Sequence, residues 1–254
     1  MRGSTEQRAR LAEGFQECRQ ALTGYLTKLL AREDVAEELV QQAALRALEQ
    51  EVLPEAPGEL RSWLFRVATN LAIDHLRRQA TWREGVLDDV RSRVERSEGF
   101  VAASRLLAGS PEMRAIARDH LAVCFACTLR SLAPQESAAL LLRELYGFTT
   151  QEVAEVLGAR FAQAKRWIQA ARASLQARYQ RTCALVTQEG ACFQCVELDR
   201  FFEAGAGDPL AGTDRSLGAR LVVIGRRGDE PLSPWHRQMM KLVGDVLEEE
   251  PGGR

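Results

Sequence analysis

The sequence predicts an all-α protein built from two small helical domains, followed by a short mixed extension at the C-terminus. Apolar residues recur every three or four positions through most of residues 12–180, which is the period of a helix with one buried face. Proline and glycine interrupt this period at a few places, and one short run, "ARLVVIG" at 219–225, is predicted as a lone strand. With 46% apolar and 27% charged residues, the composition is that of a globular chain.

The chain carries no predicted membrane or export segment. No apolar run approaches the roughly 18 residues that a membrane-spanning helix needs. The first residues, "MRGSTEQRAR", lack the apolar core of a signal peptide. We therefore expect a cytoplasmic protein with no membrane partner. Since the net charge is −1, a polyanionic partner would have to meet a local basic surface.

The first domain is predicted to contain three helices. Leu22 and Leu29 lie on the apolar stripe of the first helix, and Val35, Leu39 and Ala43 share a face of the second, "REDVAEELVQQAALRALEQ". The segment "EVLPEAPGE" then breaks the pattern with two prolines and a glycine. A long helix, "LRSWLFRVATNLAIDHLRRQ", follows it.

The second domain contains a predicted helix-turn-helix. Breaks at Gly147 and Gly158 divide the segment into three helices, and Thr149 and Glu152 have the spacing of a capping box. The last helix of such a motif can lie in the major groove of DNA. No Asp or Glu occurs between 156 and 188, which favours contact with phosphates. The basic residues of that stretch are Arg160, Lys165, Arg166, Arg172, Arg178 and Arg181.

Together these segments resemble a bacterial sigma factor of the extracytoplasmic-function type. "DVAEELVQQAALRALEQ" and "ELRSWLFRVATNLAIDHLRR" are similar to region 2 of that family, and the segment from "LAPQESAALLLRELYGF" to "AKRWIQAARASL" is similar to region 4. The resemblance implies region 2 at 1–82, a linker at 83–112, region 4 at 113–181 and a regulatory extension at 182–254. It also implies a protein that is not an enzyme. The implied partners are promoter DNA and core RNA polymerase, through its β′ coiled coil and β subunit, with an anti-sigma factor as a further candidate.

The resemblance also implies roles for individual residues. A loop at 49–59 matches the place where an unstacked base of the −10 element is captured. The residues that match the polymerase-docking segment are Asp34, Val35, Glu37, Glu38, Leu39, Val40 and Gln41. Those that match promoter-contacting positions are Asn70, Asp74, His75, Arg77, Arg78, Arg160, Gln163, Lys165, Arg166, Gln169 and Arg172.

Four aromatic residues lie at or near positions that the resemblance assigns to DNA contact. Trp63 and Phe65 could stack on melted bases, although aromatic residues on a helix more often belong to the core. Phe161 follows Arg160 where the family usually has a small capping residue and an acidic one, and Trp167 stands where a basic residue is common.

The word CFxC occurs twice, at 124–127 and at 192–195. Two CxxC words can supply four thiolates to one zinc ion, and the same set could hold another thiol-bound metal or an iron–sulfur cluster. "HLAVCFAC" is similar to the HxxxCxxC motif of zinc-containing anti-sigma factors. The alternative is that these cysteines are buried core residues, which is the interpretation we favour for Cys18. The predicted ligands are His120, Cys124, Cys127, Cys183, Cys192 and Cys195.

Such a site would tie the C-terminal extension to region 4 and could tune activity in response to a metal or an oxidant. Two other functions compete with the sigma factor. One is a helix-turn-helix regulator that never engages core polymerase, for which the 34–41 segment and the long helix would be superfluous. The other is a thiol or metal enzyme, which the absence of a βαβ pattern, a Gly-rich phosphate loop and an HExxH word argues against.

Overall fold

The computed structural model describes residues 5–50, 53–54, 56–78, 124–125, 128–182 and 217–227. All regular secondary structure within these ranges is helical, so the predicted all-α class is confirmed. The predicted linker lies outside them. The helices are α1 Thr5–Leu30, α2 Glu33–Leu48, α3 Pro57–Arg78, α4 Pro134–Glu144, α5 Thr150–Val156, α6 Phe161–Thr182 and α7 Leu217–Arg227.

Helices α1, α2 and α3 pack pairwise into a bundle. Leu22, Leu26 and Leu64 are fully buried at its centre, as the helical apolar stripes predicted. Gly14 allows α1 to approach α3 closely, because a Cβ atom at this position would lie 2.6 Å from Cδ2 of Leu60.

Helices α4, α5 and α6 form the predicted helix-turn-helix. Gly147 and Gly158 stand at the two breaks with φ angles of 73° and 60°, a region that favours glycine. The capping box is confirmed: the backbone N–H of Glu152 donates to Thr149 Oγ1 at 3.2 Å, and the N–H of Thr149 donates to Glu152 Oε2 at 2.6 Å. These bonds satisfy two of the backbone donors that a helix N-terminus leaves without partners.

Helical residues at 124–125 and at 128–129 precede the helix-turn-helix. Phe125 and Leu129 are buried, and Ser137 Oγ donates a hydrogen bond of 2.8 Å to the Leu129 carbonyl. This bond fixes the start of α4 against the segment before it.

The two bundles share one continuous apolar core. Helix α3 packs against α4 and α5, and α1 packs against α4. The Phe65 and Phe148 rings meet between the bundles with their centroids 4.9 Å apart. The two sequence modules are therefore in direct contact in this arrangement.

The predicted strand at 219–225 is wrong, because these residues belong to helix α7. Leu221 and Ile224 are buried, and α7 packs on α6, with Gly225 beside Leu145 at the end of α4. Its β-branched residues suit a strand locally, but burial of one helical face against the second bundle outweighs that weak preference.

Candidate DNA-binding and polymerase-binding surfaces

Helix α6 has one face in the core and one in solvent. Its buried face consists of Ala164, Ile168, Ala171 and Leu175. The opposite face carries predicted DNA-contacting residues: Lys165, Arg166, Gln169 and Arg172 are exposed, and Gln163 is half-buried. Arg160, which directly precedes the helix, is also exposed. An exposed cationic face on the last helix of a helix-turn-helix is suited to the major groove and its phosphates.

Arg172 differs from the other basic residues of this face. Its Nη2 donates to Glu144 Oε1 at 2.5 Å, and the Glu144 side chain is only 16% exposed. The pair links α6 to α4, so part of the Arg172 charge is neutralised within the protein. We therefore expect Arg172 to contribute more to holding α6 against α4 than to attracting DNA.

The structure separates the two unusual aromatic residues of α6. Trp167 is half-buried and packs against the core. Phe161, the first residue of the helix, is 51% exposed. Of these two rings, Phe161 is therefore the more exposed.

The second half of α3 carries the other predicted DNA-contacting residues. Asn70, Asp74, Arg77 and Arg78 are exposed and His75 is half-buried. Arg78 Nε donates to the Asp74 carbonyl at 3.3 Å, and Arg77 Nη1 lies 3.7 Å from Asp74 Oδ1. This end of the helix offers both charges and an amide to a nucleic acid.

The two aromatic residues earlier on α3 belong to the core. Phe65 is fully buried, and Trp63 is half-buried and packs against the core. In this arrangement the Phe65 ring is enclosed by the second bundle, as the core interpretation predicts.

Helix α2 presents an acidic surface beside an apolar one. Asp34, Glu37, Glu38 and Gln41 are exposed, but the side chains of Leu39 and Val40 are buried and Val35 is half-buried. The last three hold the helix in its bundle, so the first four are those available to a partner.

Leu45 and Leu48, which are 61% and 49% exposed, were missed by the sequence reasoning. Their spacing of four and seven residues from Gln41 continues the same helical face, and this spacing could have revealed them.

Asp34 is held in its charged form at the start of α2. Arg32 donates to both of its carboxylate oxygens, at 2.9 and 2.7 Å. These hydrogen bonds lower the pKa of Asp34 to about 2.

The sequence reasoning also missed the junction between the bundles, where aromatic rings surround two cations. The Arg61 guanidinium lies 4.2 Å from the Phe148 ring centroid, and its Nη2 donates to the Tyr146 carbonyl at 2.8 Å. Lys28 Nζ donates to the Tyr146 hydroxyl at 3.1 Å. Both cations lie near aromatic rings and donate hydrogen bonds across the junction, so the contact between the bundles is specific.

Buried Tyr25 completes the junction. Its ring lies 5.5 Å from the Tyr146 ring, edge to face. Thr69 Oγ1 donates to the Phe65 carbonyl at 2.6 Å and so accepts from the Tyr25 hydroxyl at 3.0 Å. Burial raises the pKa of Tyr25 above its usual range, so the phenol stays protonated.

Two of the six cysteines lie in the described ranges. Cys18 is buried in the first bundle, as predicted, and burial raises the pKa of its thiol to about 11. Cys124 is buried in the segment before α4, with its Sγ 3.9 Å from Thr128 Oγ1. The other predicted ligands, His120, Cys127, Cys183, Cys192 and Cys195, lie outside the described residues. Within those ranges no group of three or more potential ligands lies close enough to hold a metal ion.

Two family models match the two bundles. Residues 15–81 match Sigma-70 region 2 and residues 122–175 match Sigma-70 region 4. The chain belongs to the sigma-70 family. Helices α1 to α3 are thus its region 2, and α4 to α6 its region 4.

Several relatives of extracytoplasmic-function (ECF) type resemble this sigma-70 chain. It is 27% identical over 181 residues to the ECF RNA polymerase sigma factor SigG of Mycobacterium tuberculosis, covering 67% of this chain and 49% of that protein. It is 27% identical over 150 residues to ECF sigma factor SigE of Mycolicibacterium smegmatis, covering 59% of this chain and 53% of that protein. The probable ECF sigma factor SigI of M. tuberculosis is 26% identical over 229 residues, with coverage of 85% and 74%.

The chain thus spans about half the length of the first of these relatives. The similarity places it in the ECF group of the sigma-70 family. In the part of the chain that the structure covers, no helix is long and apolar enough to cross a membrane.

Proposed function

We propose that this chain binds core RNA polymerase in the cytoplasm and directs it to specific promoters as an ECF sigma factor. A single observation carries the proposal: one chain joins a sigma-70 region 2 bundle, with its acidic helix α2, to a region 4 helix-turn-helix whose basic helix α6 is exposed. In this role the protein positions the polymerase and performs no chemistry of its own.

The surfaces proposed for polymerase and for DNA differ in charge. The exposed acidic residues of α2 and the neighbouring Leu45 and Leu48 form the face proposed for the β′ coiled coil of the polymerase. Helix α6 would lie in the major groove of the −35 element, and the end of α3 would meet the −10 element. Phosphate contacts from Lys165 and Arg166 would supply affinity, and base-edge contacts would supply specificity.

This function requires the junction between the bundles to open. The −10 and −35 elements are separated by about 25 base pairs, or roughly 85 Å at 3.4 Å per base pair. Region 2 and region 4 touch through Phe65 and Phe148, with the ring centroids 4.9 Å apart. Because α3 is only about 33 Å long at 1.5 Å per residue, the two DNA-facing helices cannot reach both elements while this contact persists. The structure thus corresponds to a closed form.

The cysteine set is proposed as a regulatory site of this sigma factor. Thiolates and an imidazole are the donors that zinc prefers, and Cys124 lies near the start of the residues that match region 4. When bound, zinc or another thiol-bound metal would cross-link the extension to region 4. Its proposed ligands are His120, Cys124, Cys127, Cys183, Cys192 and Cys195, and an anti-sigma factor is a further proposed partner.

Two measurements test this regulatory site. Elemental analysis and thiol titration of protein purified without oxygen measure the metal content. Transcription by Cys192→Ser and by the parent is then compared across a titration of zinc or oxidant. Identical response curves would remove the regulatory site and leave the sigma factor role intact.

Run-off transcription with purified core polymerase tests the main proposal. The chain should restore initiation from a discrete start site on genomic fragments, where core polymerase alone gives none. A helix-turn-helix regulator that does not engage polymerase would bind DNA without restoring initiation. Binding of the chain to core polymerase, measured by anisotropy, separates these two functions directly.

A further inference from the structure

Phe161 is a large apolar residue in an exposed position of the proposed DNA-binding face. It begins α6 and is 51% exposed, whereas Trp167, the next aromatic residue along the helix, packs against the core. Lys165 lies four residues later on the same side of the helix and is also exposed. An apolar ring beside a cation in the first turn of a recognition helix lies where such helices meet base edges.

The major groove offers little that an apolar ring can contact favourably. The base edges present hydrogen-bond donors and acceptors, and covering these with a phenyl ring would leave them without partners, which is costly. The exception is the 5-methyl group of thymine, the one apolar group on that surface.

We infer that Phe161 reads a thymine of the −35 element, by packing its ring against the 5-methyl group. This inference rests on the proposed function, because it requires α6 to lie in the major groove. The resulting preference for thymine would belong to one position of the element, at the end of the site that faces the start of α6.

The test begins with selection of duplexes from a random pool by the full-length chain, alone and with core polymerase. The parent is compared with Phe161→Ala and with Val222→Ala, a control that removes another exposed apolar side chain, 52% exposed on α7. We expect Phe161→Ala to lose the thymine preference at one position, while Val222→Ala keeps it.

A second measurement isolates the methyl group itself. Replacing that thymine by deoxyuridine removes only the methyl group, which should weaken binding by the parent about fourfold, the factor expected for burying one such group. Phe161→Ala should bind both duplexes equally.

Two results would overturn the inference. One is a thymine preference that Phe161→Ala retains, and the other is an equal loss on deoxyuridine DNA for parent and variant. Either would leave the proposed function standing, since the parent still selects a promoter element. If the parent selects no sequence in either form, the proposed function fails and this inference fails with it.

Discussion

Arg61 of α3 lies over the ring of Phe148, the residue just before the capped start of α5, at 4.2 Å from guanidinium carbon to ring centroid. The same side chain donates to the carbonyl of Tyr146. One cation of region 2 therefore holds the turn between α4 and α5 of region 4. This relationship makes the two regions a single folded unit.

We expect Arg61→Met to lower the free energy of unfolding by about 1–2 kcal/mol, since it keeps the apolar stem but removes a cation–π contact and a charged hydrogen bond. Arg66→Met is the matched control, because Arg66 lies on the same helix and is exposed. It should change the free energy by less than about 0.5 kcal/mol. Urea denaturation of the three proteins measures both values, and equal values for the two variants would contradict the role given to the junction.

The same variant should bind core polymerase more tightly than the parent. If the junction must open before the chain binds polymerase, the measured affinity is the affinity of the open form multiplied by the fraction of molecules that are open. Each kcal/mol removed from the junction should then raise the affinity about fivefold, until the open form dominates. Titration of labelled chain with core polymerase measures this, with Arg66→Met again as the control. Unchanged affinity of Arg61→Met, despite lower stability, would show that the junction does not oppose binding.

Thr149→Ala should lower the free energy of unfolding by about 1 kcal/mol, because it removes the side-chain acceptor at the start of α5. Ser174→Ala, at an exposed position in the middle of α6, is the control and should cost nothing. Thermal or urea unfolding of the two variants checks the difference, and a loss of equal size in both would argue against the cap.

The same capping box gives a pH dependence. Hydrogen bonding to the backbone and side chain of Thr149 lowers the pKa of Glu152 below its ordinary value. Its ionised form therefore contributes stability above the unfolded pKa of about 4.3, and this is lost as pH falls through the lower folded pKa. The stability difference between parent and Glu152→Gln should shrink as pH falls from 6 to 3. A stability difference that stays constant over that range would contradict the role given to the Glu152 carboxylate in the cap.

The salt dependence of DNA binding should distinguish two arginines of α6. Arg166→Ala should reduce the slope of log affinity against log salt by about one, as expected for one phosphate contact. Arg172→Ala should reduce it by less, because Glu144 already neutralises part of that charge. Binding measured at several salt concentrations tests this, and equal reductions would show that Arg172 contacts phosphate as fully as Arg166.

Most of the local architecture was predictable from residues close together in the chain. Helical periodicity placed α1 to α3, and the spacing of Gly147, Gly158 and the capping box placed the helix-turn-helix, because caps and left-handed turns depend on residues only a few positions apart. The absence of Asp and Glu between 156 and 188 likewise predicted the basic face of α6, because this charge pattern lies within one short stretch of sequence. Leu45 and Leu48 could also have been predicted, because their spacing from Gln41 places them on the same face of α2.

Contacts between residues distant in the chain were not predictable in the same way. Nothing near Arg61 or Phe65 in the sequence indicates that they meet Tyr146 and Phe148, since such a contact forms only when two bundles bury surface together. The helix α7 was mispredicted for the same physical reason: its residues favour a strand locally, and packing on region 4 reverses that preference. Local propensities amount to a few tenths of a kcal/mol per residue, whereas burying one large apolar side chain contributes about 2 kcal/mol.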